Sequence, residues 1–375
     1  MKYTTLIWLL FVNALSAQQP CTVESIMAVK GKWIKHQDAN MKASSQQVIS
    51  RIDKMQQLVQ AAYPEPMGIE AAWYRSMGGH YSSINNNSTA YDLNALFKTY
   101  YCNTNLKKLL PGTETGNWFY VWANKFSWFA EKDEYFLIEN KPTYLLPKKI
   151  GELNGFSLFA GNDNGTSNTG TRFSKTILIS RTGQWPFAPV SRKQYLLVLL
   201  KNKEDEHKRH AEYLLKMPVW SDTEEEANKQ KQLKRLVDMA QNEQSKERVK
   251  ANFLKNYKTA KQRHQEDITR SEEIYRKDIK AAQDYLNNSA DEELAKPAYI
   301  ENNSYRSSFL KFGNEKEGRM LVQVNTNYFN NKLPAYAPQF LVVYWSWNTE
   351  KPSLDFANHI ENNFDFKALQ TMLDK

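Results

Sequence analysis

The chain has 375 residues, with 50 Lys and Arg against 41 Asp and Glu, a formal net charge of +9, 41% hydrophobic and 24% charged residues. That length supports one large domain or two ordinary ones, each with its own core. The charge excess is modest and spread out, which describes a mixed solvated surface rather than a nucleic-acid-binding one.

Met1, Lys2 and Tyr3 form a short basic start, and Thr4 to Ala14 an apolar run with Leu6, Ile7, Trp8, Leu9, Leu10, Phe11 and Val12. Small residues follow at Ala14, Ser16 and Ala17. This order reads as a secretory signal peptide over residues 1–17. The run is too short for a bilayer span of about 20 residues, and no second stretch replaces it. An exported protein, periplasmic or extracellular and without a transmembrane segment after cleavage, is expected.

Gln18, Gln19 and Pro20 separate Cys21 from the small residue at Ala17, so a lipid-anchored Cys21 is not expected. In an oxidising compartment Cys21 and Cys102 are expected to pair. The bond would close a loop of roughly 80 residues and stabilise the fold by about 2–4 kcal/mol. The alternative is two unpaired thiols.

Residues 18–190 read as a mixed α+β region. Val48, Ile52, Met55, Val59 and Ala62 fall on one stripe and predict a helix over 43–62, ended by Pro64 and Pro66. Asn85 to Thr89 reads as a polar loop, and a short helix is expected over Asp92–Tyr101. Strands are expected at 118–122, with Trp118, Tyr120 and Trp122 on one face, and at Tyr135–Glu139, Phe156–Ala160 and Ser174–Ser180. The Gly161–Gly170 loop turns a hairpin between the last two.

Residues 191–297 read as a long charged helical region. Ser191 with Gln194 forms a capping box, and Val190 with Tyr195 a hydrophobic staple. This helix runs to about Met217, before Pro218. Ser221 and Glu224 open a second one, and neither Gly nor Pro occurs from there to about Leu286. Unbroken, it would be about 97 Å long, so a hairpin or coiled coil is expected, bending at Gln241–Arg248. The pairs Glu225–Lys229, Glu266–Arg270, Glu272–Arg276 and Glu273–Lys277 support helix. Residues 298–375 complete the α+β domain with strands at Arg319–Asn325 and Gln339–Trp347, joined through Pro334 and Pro338. Asp365 caps a last helix carrying Ala368, Leu369, Met372 and Leu373.

Chemistry-bearing patterns are sparse. Glu204, His207 and His210 lie at i, i+3 and i+6, but no second Glu-x-x-His unit faces them. Asp163-Asn164-Gly165 lacks the alternating oxygen ligands of a calcium loop and reads as a tight turn. Neither a nucleophile elbow nor a phosphate-cradling loop is present, and no metal or cofactor is implied. Arg192 and Lys193 sit in a first helical turn, where the helix dipole disfavours cations; they serve an anionic partner or an ordinary solvated start. Aromatics are enriched at 13%. Trp118, Tyr120, Trp122, Trp345 and Trp347 are the candidate ligand-facing aromatics, in two strand rows that stack on sugars or, alternatively, fill the core.

Four stretches stand out as a set: Val29-Lys30-Gly31-Lys32-Trp33; Met67-Gly68-Ile69-Glu70 leading to Trp73-Tyr74-Arg75-Ser76; Pro186-Phe187-Ala188-Pro189-Val190-Ser191-Arg192-Lys193-Gln194-Tyr195-Leu196; and Asn325-Thr326-Asn327-Tyr328-Phe329 with Leu333-Pro334. With these the chain resembles exported bacterial proteins that carry no assigned function. The resemblance implies export from a bacterial cell and transfers no active-site residue.

The expectation is an α+β protein, mostly antiparallel sheet with packed helices and a long helical, coiled-coil-like insertion. Its expected role is non-catalytic binding or scaffolding. The expected partners are another protein or a second copy, met through the helical region, and not nucleic acid. The alternative is a periplasmic or secreted hydrolase acting on carbohydrate.

Overall fold

The computed structural model describes residues 22–375 apart from 42–43, 78–87, 104, 107, 114, 127–128, 162–163, 168–169, 218–219, 302–308 and 310. The expected signal peptide, Cys21, Asn85–Asn87, Asp163 and Pro218 lie outside the described residues.

The first elements are α1 (Val23–Met27), β1 (Trp33–Lys35), α2 (Gln46–Ala62), β2 (Ile69–Met77), β3 (Tyr91–Asn103), β4 (Lys108–Pro111) and β5 (Trp118–Ala123). Next come β6 (Glu131–Ile138), β7 (Lys141–Leu145), β8 (Lys149–Leu153), β9 (Phe156–Ala160), β10 (Gly165–Ser167), β11 (Gly170–Ile179) and β12 (Phe187–Pro189). The helices α3 (Arg192–Lys216), α4 (Asp222–Asp238), α5 (Glu243–Asn256), α6 (Ala260–Asn288) and α7 (Asp291–Ala295) follow. The chain closes with β13 (Tyr299–Ile300), β14 (Arg319–Val324), β15 (Leu341–Asn348), α8 (Lys351–Asn363) and α9 (Phe366–Gln370). The fold is α+β with mostly antiparallel sheets. A ten-stranded sheet runs β1-β2-β3-β5-β15-β11-β9-β8, with β4 on β3 and β10 on β11. A smaller sheet runs β12-β14-β7-β6, with β13 on β14. The chain forms two compact units, one of Met1–Lys132, Tyr144–Ala188 and Val322–Lys375, the other of Asp133–Thr143 and Pro189–Leu321.

In the first unit α2, α8 and α9 cover one face of the large sheet. Ser45 caps α2 by accepting from the Val48 N–H at 3.3 Å. The stripe read from spacing is buried: Val48, Ile52, Met55, Val59 and Ala62 are all at most 2% exposed. They pack in one cluster with Phe97, Phe119, Trp345, Phe356 and Ile360. Phe97 stacks on Phe356 at 4.0 Å, and Phe119 meets Phe364 at 4.9 Å.

The expected helix at Asp92–Tyr101 is corrected: this segment lies in β3. It pairs with β2 from Tyr91↔Met77 to Thr99↔Ile69, and with β5 from Tyr91↔Ala123 to Leu96↔Trp118. Tyr91, Leu93, Ala95 and Phe97 alternate into the core and are fully buried. Pairing on both sides, with alternate residues packed into the core, overrides the local helix preference of Leu and Ala.

Two of the quoted stretches meet at the sheet edge. Gly31 N–H donates to the Pro66 carbonyl at 2.7 Å, Gly68 N–H to the Val29 carbonyl at 2.8 Å, and the Trp33 indole to the Tyr63 carbonyl at 3.0 Å. A Cβ on Gly31 would overlap the Ile69 carbonyl oxygen, so the position requires glycine.

The second unit holds the helical region. Ser191–Gln194 and Ser221–Glu224 form the expected capping boxes. The run from Ser221 to Leu286 breaks at the expected bend, where α4 ends and α5 begins, and a second time before Thr259, so it forms three helices. Asn242 caps α5 by accepting from Ser245 N–H, and Thr259 with Gln262 forms a third capping box that opens α6. Each cap offers the backbone an alternative partner and interrupts the ladder. The contacts run antiparallel. Arg192 donates to the Tyr285 hydroxyl at 2.8 Å, Lys203 meets Asp278 at 3.4 Å, and His207 meets Glu272 at 2.8 Å. Further along, Glu225 on α4 accepts from the Tyr257 hydroxyl and from the Ala260 N–H. The region is thus a folded-back set of paired helices rather than one continuous rod. Tyr195, Phe309, Phe312 and Tyr285 form its aromatic base, with Phe309 and Phe312 4.8 Å apart.

Candidate functional site

The two aromatic rows separate onto opposite faces of the large sheet. On β15, Trp345 is fully buried and Trp347 is 9% exposed, both within the core cluster. Their cross-strand neighbours are Phe119 and Phe173. Lys175 lies 5.5 Å over the Trp347 ring and donates to both Glu361 carboxylate oxygens at 2.8 Å. Trp345 and Trp347 are therefore structural, and their expectation as ligand-facing residues is corrected: the strand turns them toward α8 and α9.

The other row points away from that core. Trp118, Tyr120 and Trp122 stack as a ladder, with ring centroids 5.6 and 5.1 Å apart and planes within 15°. Tyr344 adds a fourth ring 5.9 Å from Tyr120 and 5.7 Å from Trp122. Trp118 and Tyr120 are half-buried, whereas Trp122 and Tyr344 are buried. Register arranges the surroundings in rungs across β2, β3, β5, β15 and β11. One rung reads Tyr74, Asn94, Tyr120, Tyr344, Thr176; the next reads Ser76, Asp92, Trp122, Val342, Leu178.

Asp92 is the ionisable centre of this face. It accepts from Asn94 Nδ2 at 2.5 Å and lies 3.5 Å from the Lys125 ammonium. Burial pushes its carboxyl above the ordinary value, against the opposing pull of Lys125 and the hydrogen bonds from Asn94, Lys125 and Ser76. Burial, and secondarily the Asp92 charge, also raises the Tyr74 hydroxyl. The register neighbours of Asp92 on the adjoining strands are Ser76 and Trp122.

The helical pair carries a different surface. On one flank of α3 and α6 lies an open groove of about 420 Å³. Lys203, Glu206, His210 and Tyr213 line it from α3 and Met217 from the residue that ends that helix, at spacings of three and four. Asp267, Arg270, Ile274 and Asp278 line it from α6. Tyr213 is 59% exposed and Ile274 49%. Sequence reasoning missed this groove, because each helix alone reads as a charged solvated face. The signal was the row Tyr213, Met217 and Ile274 within otherwise charged turns.

The remaining candidates resolve into local contacts. His207 stacks on Tyr275 at 4.2 Å and pairs with Glu272, and Glu204 pairs with Lys208 at 2.7 Å. Among the described residues no cluster of three or more His, Cys, Asp or Glu could hold a metal, and no helix is long and apolar enough to cross a membrane. Arg192 bonds Glu293 and Tyr285, and Lys193 lies 3.7 Å from Asp291, so both cations meet carboxylates of this chain. Cys102 lies on β3 opposite Leu109; its expected partner Cys21 is outside the described residues.

Comparison of the chain with known protein families, with curated proteins and with solved structures finds no match.

Proposed function

We propose that this chain is an exported binding or scaffolding protein whose α3–α6 groove receives an amphipathic helix of a protein partner. The groove carries the reading. It presents two parallel rows of side chains at helical spacing, with apolar Tyr213, Met217 and Ile274 between Lys203 and Arg270 on one side of the charge balance and Glu206, Asp267 and Asp278 on the other. From residue 203 to 217 the row is about 21 Å long, the length of a four-turn helix. Its interspersed signs suit a helix of mixed charge better than a polyanion. Export with a Cys21–Cys102 disulfide belongs to the same proposal.

A photo-crosslinking residue at position 274 tests it in the exporting cell. The expected result is one discrete adduct, lost when Met217→Glu places a charge in the groove. A diffuse smear, or an adduct indifferent to Met217→Glu, would sink the partner-helix reading.

The second reading is a hydrolase acting on carbohydrate, supported by the half-buried Trp118–Tyr120 ladder beside Asp92. Its test is a glycan and ester substrate screen with Asp92→Asn as control. Turnover abolished by that substitution would favour catalysis over binding.

A further inference from the structure

We propose that the occupant of the α3–α6 groove is α5 of a second copy of this chain, so that two copies exchange these helices and close as a two-fold pair. The assignment rests on the partner-helix reading and names its partner.

Three observations in the helical region support it. The first is an uncovered helix. α5 is 14 residues long and buries none of them, and α4, against which it lies, buries only Glu225. A helix of this length is marginal without a packed face. Ser245, Lys246, Val249 and Phe253 are half-buried on the α4 side. Gln244, Glu247, Ala251 and Leu254 are exposed at spacings of three, four and three, flanked by the exposed Arg248 and Lys255. Leu254 is 47% exposed.

The second observation is length. Fourteen helical residues span about 21 Å, the length of the groove row.

The third is the order of side chains. α3 and α6 run antiparallel, with Lys203 against Asp278 and His207 against Glu272. The same pitch sets His210 level with Arg270 and Tyr213 level with Asp267. With α5 laid parallel to α3 and Leu254 level with Tyr213, Lys255 reaches Asp267 on the α6 wall. Ala251 then lies beside His210 and Arg270, where a small side chain leaves room. Glu247 comes level with Glu206, whose charge Lys203 offsets from 3.2 Å. The ion pairs nearest this stretch are Lys258–Glu266 and Arg263–Glu225, and neither Lys255 nor Asp267 enters one among the described residues. One register therefore gives an exposed leucine an aromatic neighbour and gives two unpaired opposite charges each other. A second copy brings the same two contacts to both sides of the pair.

Sedimentation velocity of the full exported chain over a concentration series is the first test, and a dimer is expected. A photo-crosslinking residue at position 274 of the purified chain is expected to give an adduct of twice the chain mass, with the crosslinked peptide inside Glu243–Asn256. Lys255→Glu and Asp267→Lys are each expected to weaken the dimer roughly tenfold, and their combination in one chain to restore it. Leu254→Ser is expected to weaken it as well, and circular dichroism verifies the fold of each variant. The proposal is overturned by a monomer at every concentration, by a dimer whose adduct maps outside α5, by folded single variants that pair like the parent, or by a combined variant as weak as the singles. A monomer that still gives a discrete adduct with another protein in the exporting cell, lost in Met217→Glu, overturns the α5 assignment and keeps the partner-helix reading. A diffuse smear in both settings ends both.

Discussion

The sheet unit and the helical region are stabilised in opposite ways. In the first, a single cluster of fully buried side chains, among them Ile52, Phe97, Trp345 and Phe356, joins three helices to one sheet face. In the second, the α3–α6 seam carries Lys203–Asp278 and His207–Glu272, α4 buries only Glu225, and α5 buries nothing. Volume complementarity fixes the sheet unit. The helical region, or arm, is held by caps, by paired charges and by a smaller apolar set, Tyr195, Leu196, Leu199, Leu214 and Ala282, and it leaves other apolar residues exposed.

The largest test of that contrast is Trp345→Ala. Emptying a fully buried indole from the cluster is expected to lower global stability by about 3–5 kcal/mol in denaturant unfolding. Leu215→Ser, on the arm, is expected to stay within about 0.5 kcal/mol. Equal losses would mean that the exposed arm residues are part of a core after all. Next comes Gly31→Ala. The added methyl must displace the Ile69 carbonyl or β1 itself, at an expected cost of about 1–3 kcal/mol. Neutral behaviour would show that the β1 edge is not tightly seated.

Thr259→Ala sharpens the same contrast on the arm. Thr259 accepts from Gln262 N–H at 3.2 Å, and the Gln262 side chain accepts from Thr259 N–H at 2.9 Å. Losing this box is expected to cost about 1 kcal/mol, seen as faster amide exchange in the first turn of α6, with β3 and β15 unchanged. Faster exchange throughout both units would make the arm cooperative with the sheet.

What was legible in the sequence follows the same division. The α2 stripe, the strand at Phe156–Ala160 and the caps at Ser191, Ser221 and Asp365 are local patterns, and each forms as read. Thr259-x-x-Gln262 has the same form as Ser221-x-x-Glu224, yet it sits inside a run without Gly or Pro and was masked by helical periodicity. The β3 strand was illegible because its alternation places Asp92 and Asn94 opposite a core face, and only β2 and β5 on either side make that arrangement stable. The rows Trp118–Tyr120–Trp122 and Val343–Trp345–Trp347 were visible as rows. Which face each took depended on where α8 and α9 packed, which strand periodicity does not encode. The groove needed the pairing of α3 with α6, two segments about sixty residues apart in sequence.

Acid titration gives the finest form of the comparison. On the arm, Lys208 holds the Glu204 carboxyl below its ordinary value of 4.5, the Ser221 hydroxyl and N–H do so for Glu224, and the Tyr257 hydroxyl does so for Glu225. A lowered carboxyl contributes stability above its unfolded value and loses it as pH falls through the folded one. Asp92 has the opposite sign, because burial outweighs Lys125 and raises its carboxyl above 3.8. Its folded state binds the proton more tightly, so its contribution is greatest below 3.8 and is lost as pH rises through the raised value. Asp92→Asn is therefore expected to match the parent at low pH and to gain on it as pH rises toward neutrality, in paired denaturant midpoints across the series. Over the same range, arm amides, corrected for the pH dependence of intrinsic exchange, are expected to become more protected. A constant offset between Asp92→Asn and the parent would mean that Lys125 and Asn94 fully compensate the buried charge, and that the aromatic face of the sheet is as well solvated as the arm.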